Sequence, residues 1–304
     1  MRKWIEMRVG TKEVLRRLPP DLGRDLHSPA DREMWKRIDP DYVGGTRRVD
    51  LPADSPVWGQ VLGILRGVYG DPYPHYSAWP HFRYTKRELL DAEVLRLRIT
   101  RAFEPEGGRC GTVYDETPSC PHCGVGRIQV SDLHLRLTRD WQAWPSLPRT
   151  RHFQIARTIA DEMIVSQVLA DRLQTDGMTG FSLGLVRGCG EEAKETPHWK
   201  QFLVRGKAGR TIPPTEFGIN PFEADEEGEY RCPLGHVSGL NLLSEVYVKR
   251  SDWEGSDVTA TEDLFGARMG VLVPSPMILI SQRFYRLLLE TGTKGFGVDV
   301  AHLV

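Results

Sequence analysis

Apolar side chains at Val57, Trp58, Val61, Leu62, Leu65 and Val68 recur at three- and four-residue intervals, a spacing that predicts a helix ended by Gly70. Lys12–Leu18 predicts a shorter helix, because Pro19-Pro20 cannot continue it. Val94–Ile99 alternates like a strand, and Thr85 followed by Glu88 has the form of a capping box for a helix just before it. The stretch Tyr69–Tyr84 carries Pro72, Pro74 and Pro80 among many aromatic rings. It predicts a proline-stiffened loop with its rings packed on the core. Exposed, the same rings would make a recognition surface.

Further along, the pattern repeats. Met163–Val165 reads as a short buried strand and Ser166 as a helix N-cap, with Leu169 and Leu173 as the inward stripe. Gly177 ends that helix, and Phe181, Leu183 and Leu185 alternate as a strand. Met277–Ile280, Ser281, Gln282–Glu290 and then Phe296, Val298 and Val300 follow the same scheme 115 residues later. Over 21 aligned positions six are identical: Ser166/Ser281, Gln167/Gln282, Leu173/Leu288, Gly177/Gly292, Gly180/Gly295 and Phe181/Phe296. Ahead of each unit lies a strand-like segment: Arg127–Leu137, with a slip at Ser131-Asp132 that suggests a bulge, and Leu240–Val248.

These elements predict an α+β protein. Residues 1–100 form an N-terminal α/β segment, and residues 101–304 a tandem-duplicated module of zinc ribbon plus strand–helix–strand. Copy one spans about 101–188 and copy two about 219–304. The link Gly188–Gly218, rich in glycine, proline and charge, reads as loop, and the acidic run Phe222–Glu229 as solvated surface.

Composition narrows the class. The chain has 304 residues, 40% hydrophobic and 27% charged, which suits a globular protein with one large core or two ordinary ones. It has no apolar run of about 18 residues to span a bilayer. The start MRKWIEMRVG has no secretory pattern, and five cysteines, with one pair as Cys-x-x-Cys, fit a reducing compartment and metal binding. The expected location is the cytoplasm. Residues 1–100 carry 18 Lys/Arg against 14 Asp/Glu, and the remainder 22 against 27. So even a balance weighs against nucleic acid as a partner.

The candidate chemistry is Cys120-Pro121-His122-Cys123-Gly124, where a tight turn aims two sulfurs the same way and Gly124 permits the left-handed closing residue. A closed structural site needs four ligands. The other half is Cys232-Pro233-Leu234-Gly235-His236, giving Cys120, Cys123, Cys232 and His236 as the ligands of one structural Zn2+, with Cys110 as the alternative ligand. Cys189 reads as an unattached thiol. No phosphate loop, H-E-x-x-H or G-x-S-x-G elbow occurs, and His134, His152 and His198 are scattered, so no catalytic residue is nominated.

The segment Cys110–Gly124, the second Cys-Pro motif at Cys232 and the closing Met277–Val298 resemble the double-CXXCG-motif family, which includes immunity proteins of bacterial toxin–immunity systems. The resemblance covers roughly residues 85–304 and implies a protein that binds and neutralises a cognate protein toxin. The chain departs from the family at Cys232-Pro-Leu-Gly-His236, where a second Cys-x-x-Cys-Gly is expected. Two alternatives stand beside it. One is a zinc-ribbon nucleic-acid binder using Arg127, Arg136 and Arg139; the other is an enzyme of unknown class.

Overall fold

A computed structural model describes residues 2–10, 12–26, 33–34, 36–37, 45–70, 76–103, 107–136, 153–189, 194–224, 232–234, 236, 240–266 and 274–304. The fold is mixed α+β with several sheets. The chain divides into two compact units, residues 1–85 with 218–224, and residues 86–217 with 225–304.

In the first unit β1 (Arg2–Val9), α1 (Lys12–Arg17), β2 (Arg24–Asp25), β3 (Arg47–Pro52), α2 (Val57–Tyr69) and β4 (Tyr76–Arg83) follow in turn. The strands form one antiparallel sheet in the order β2-β3-β1-β4. Alternation sets its faces: Ile5, Met7 and Val9 enter a core with Val49, Ala78 and the α2 residues Trp58, Val61 and Leu65. On the other face His81 Nε2 lies 2.8 Å from Asp50 Oδ1, while Arg48 and Arg83 each donate to Oδ2 at 3.2 Å. Burial raises the Asp50 carboxyl, but the His81 hydrogen bond and the charges of His81, Arg83 and Arg48 outweigh it and hold it below the usual range.

Tyr76–Arg83 is therefore a strand and not the loop that its prolines predict. β4 pairs only with β1, and an edge strand has one side without partners, where Pro80 is tolerated. Trp79 stays 38% exposed, so this ring is not packed away as expected. Pro72, Tyr73 and Pro74 lie outside the described residues.

The second unit begins with α3 (Lys86–Asp91), β5 (Val94–Ile99), β6 (Ala102–Phe103), β7 (Tyr114–Asp115), β8 (Ile128–Gln129) and β9 (Leu133–Leu135). Then come β10 (Ile155–Thr158), β11 (Met163–Ser166), α4 (Gln167–Thr175) and β12 (Phe181–Gly188). The chain continues with β13 (Glu195–Val204), β14 (Gly206–Lys207), β15 (Phe217–Asn220) and β16 (Glu223–Ala224), of which β15 beyond Phe217 and all of β16 fall in the first unit, and then with β17 (Asn241–Leu242) and β18 (Val246–Val248). It closes with β19 (Val258–Phe265), β20 (Ser275–Ser281), α5 (Gln282–Glu290) and β21 (Phe296–Leu303). Ser166 Oγ accepts the Leu169 N–H at 3.2 Å and Ser281 Oγ accepts the Phe284 N–H at 3.1 Å, so both helices start on the serine that the pattern predicts.

Two six-stranded sheets result, β6-β10-β11-β13-β12-β9 and β14-β19-β20-β5-β21-β18, and they match strand for strand in direction. Their registers match too. Ser166 faces Trp199 as Ser281 faces Val94, and Phe181 faces Val204 as Phe296 faces Ile99. The central strands differ in origin: β5 comes from the other end of the unit to sit between β20 and β21, whereas β13 directly follows β12 and sits between it and β11. The segment expected to be a loop, Gly188–Gly218, thus contains the central β13. Its flanking glycines and prolines hide it, although His198-Trp199-Lys200-Gln201-Phe202-Leu203-Val204 buries Trp199, Gln201 and Phe202.

The crossings are tight. Gly180 O accepts the Arg205 and Gly206 N–H groups at 2.8 and 2.9 Å, and Gly295 O accepts the Thr100 N–H at 2.9 Å. A Cβ on Gly180 would overlap the Val258 carbonyl, and one on Gly295 the Ile155 carbonyl, with φ of 87° and 102° excluding most side chains anyway. The helices join both sheets in one core. Leu169 and Leu173 of α4 and Phe284 and Leu288 of α5 pack with Leu97, Ile155, Phe202 and Val258.

Candidate metal centre

The first half of the site is a turn at the tip of a short ribbon, where β7 and β8 pair Tyr114 with Gln129 and Asp115 with Ile128. Cys120 N–H donates to Val125 O at 2.8 Å and Gly124 N–H donates to Cys120 O at 2.7 Å. Gly124 (φ 66°) and Gly126 (φ 101°) supply the left-handed residues that such a turn needs. In the second half Cys232 N–H donates to His236 O at 2.8 Å, and the Leu234 N–H points at the Cys232 sulfur at 3.3 Å. Both turns therefore fold their own backbone around the donor atoms.

The donor atoms of Cys120, Cys123, Cys232 and His236 lie within 4.8 Å of one another. Cys120 Sγ is 3.7 Å from Cys232 Sγ, and His236 Nδ1 is 3.3 Å from Cys123 Sγ and 3.6 Å from Cys232 Sγ. For a tetrahedral ion with sulfur bonds of about 2.3 Å and nitrogen bonds of about 2.0 Å, the sulfurs stand about 3.8 Å apart and a sulfur and a nitrogen about 3.5 Å. The four residues are thus close enough to hold one metal ion. Cys120 and Cys123 are buried with Val125, and Cys232 and Leu264 pack against them.

Backbone geometry also favours thiolates. The Cys123 N–H, helped by the His122 N–H, brings the Cys120 thiol down to about 6 against the opposing effect of burial. Burial pushes the Cys123 thiol up, and the Cys120 and Cys232 sulfurs add to it while the Val125 N–H opposes. Three crowded sulfurs repel as anions, and a cation among them removes that repulsion.

Other nominated residues sit elsewhere. Cys110 closes a 3-10 turn, Gly107–Cys110, and is not part of the four-residue group. Burial and the neighbouring Cys189 push its thiol up to about 12. The Arg127 guanidinium lies 4.1 Å above the Tyr114 ring, and Arg136 is exposed. Leu137, Arg139, His152 and residues 225–229 of the acidic run fall outside the described residues. One residue that no sequence pattern singles out is Glu162, 9% exposed, whose carboxylate accepts from Gly107 N–H, Tyr114 O–H and Thr158 O–H. It ties the β7 ribbon to β10, and no local spacing advertises a lone carboxylate of this kind.

Among the described residues no helix is long and apolar enough to cross a membrane. Compared with known protein families and with curated proteins, the chain matches none.

Proposed function

We propose that the chain is a binding protein braced by a structural zinc ion, and that it neutralises a cognate protein toxin by covering it. The observation that carries this reading is the convergence of Cys120, Cys123, Cys232 and His236, drawn from turns 112 residues apart, on one small volume. Three sulfurs and one imidazole suit Zn2+ over hard cations, and with all four positions taken by protein no place remains for a reactive water. Such an ion is a brace and not a reagent. It clamps two turns and the ribbons they carry.

The same reading makes the second unit a tandem duplication with exchanged central strands. The shared strand order, the paired N-cap serines and the paired crossing glycines support it. The toxin partner rests on the likeness of the two cysteine motifs and the closing segment to the double-CXXCG immunity proteins. Co-expression with the product of the neighbouring gene, scored for growth inhibition by that product alone, tests the function. Rescue of growth and a stable complex are expected, and neither appearing would end the immunity reading. Elemental analysis should give one zinc per chain, and none would remove the brace.

A further inference from the structure

The second unit holds a cavity of about 850 Å³ whose wall draws on both six-stranded sheets, on the β7–β8 ribbon and on β17. Its size falls in the usual range for small-molecule sites. Four arginines line it: Arg96 and Arg98 from β5, Arg127 from the first ribbon and Arg157 from β10. The lining carboxylates are Asp161 and Glu162, and both already have protein partners. Asp161 bonds to Arg157 and Ser275, and Glu162 to Gly107, Tyr114 and Thr158. Behind the wall Asp299, 7% exposed at its side chain, takes Arg98 at 2.7 Å and Arg96 at 3.5 Å.

Four guanidiniums against three carboxylates leave one positive charge over. Arg127 is the cation that no carboxylate answers among the described residues. Its guanidinium rests on the Tyr114 ring, which leaves its N–H fork able to grip an anion. The rest of the wall is mixed. Gln129 and Gln201 exchange amide hydrogen bonds at 2.9 and 2.6 Å across the cavity wall, while Ile99, Met163, Val204, Leu242 and Ile278 are only half-buried. An inorganic anion would satisfy the charge and leave that apolar wall wet; a neutral apolar molecule would do the reverse.

We propose that this cavity binds a small organic acid, its carboxylate held by Arg127 with its arginine neighbours and its apolar body laid on the half-buried aliphatic wall. The metal centre matters indirectly, because the ribbon that carries Arg127 and Gln129 ends in the Cys120–Cys123 turn. The inference does not depend on the toxin reading.

Calorimetric titration of the metal-loaded full chain tests it with three probes: octanoate, 1-octanol and acetate, which are the whole ligand and its two parts. Octanoate should bind saturably at one site with Kd of about 1 mM or tighter, and each part at least about tenfold more weakly. Arg127→Met should weaken octanoate about tenfold or more with the thermal midpoint unchanged. Should the Met variant fail to fold, Arg127→Lys, which keeps the charge but not the planar fork, should still weaken it severalfold. No saturable octanoate binding, equal binding of acetate or 1-octanol, or undiminished affinity in the folded variant would each overturn the proposal.

Discussion

The first unit draws its buried core from neighbours in sequence: Met7, Val14, Val49, Trp58 and Ala78 meet around one sheet and two helices, with Phe222 packed on them from a later segment. In the second unit β5 lies between strands that begin about 180 and about 200 residues later, and Arg96 pairs with Asp299 across 203 positions. Closing such long loops costs chain entropy that the contacts must offset. The second unit places a four-donor cluster and a shared helix core across that separation, whereas the described residues of the first show packing and polar bonds without such a cluster. Where order in sequence and order in space diverge, this protein brings together four donors that are close enough to hold a metal ion.

Stripping the metal is the strongest way to test that contrast. Chelation or Cys120→Ser should lower the unfolding transition of the second unit by several kcal/mol, set against roughly 10 kcal/mol or more for small metal-folded peptides. The transition of the first unit should not move. Two-transition calorimetry with and without chelator reads this, and an equal fall in both would erase the distinction.

Core truncation should separate the units next. Phe284→Ala should cost about 3–5 kcal/mol in the second unit, because the ring touches both halves of the shared core, including Phe202. Met7→Ala should cost about 2–5 kcal/mol in the first alone. Denaturant midpoints followed by tryptophan fluorescence and by far-ultraviolet circular dichroism would show a shift in the wrong unit.

A smaller effect probes the match between halves. Ser166→Ala and Ser281→Ala each remove one cap hydrogen bond and should each cost about 1 kcal/mol. A clear inequality in urea midpoint would show that the two helices, alike in pattern, bear different loads.

The smallest test uses pH. Asp50 has a lowered carboxyl pKa in the folded first unit, so the stability it adds is fully present above its unfolded value of 3.8 and is lost as pH falls through the lower folded value. The urea midpoint of the first unit should therefore drop between pH of about 5 and about 3, and the drop should shrink in Asp50→Asn. An unchanged slope in that variant would assign the acid sensitivity to other groups.

Much of the local structure was legible because local rules govern it. Ser166 and Ser281 cap helices whose inward stripes follow the 3.6-residue period, and Pro19-Pro20 stops α1 by steric necessity. The four candidate ligands were legible because turn-forming Cys-Pro pairs have few other uses. Two readings failed where context overrode local preference. The aromatic stretch became an edge strand because an outer position accommodates Pro80, and the supposed link held β13 because burial between β11 and β12 outweighs its glycine- and proline-rich borders.

By itself the amino-acid order determined the capped helices and the two cysteine turns taken singly, since those depend on residues within one or two turns of each other. Only the tertiary structure decided which strand lies beside which, because hydrogen-bonded strands meet through backbone groups that every residue carries. It likewise decided that Glu162, Arg127 and Asp299 would matter. Their roles come from side chains contributed by distant segments, and no spacing along the chain encodes that company.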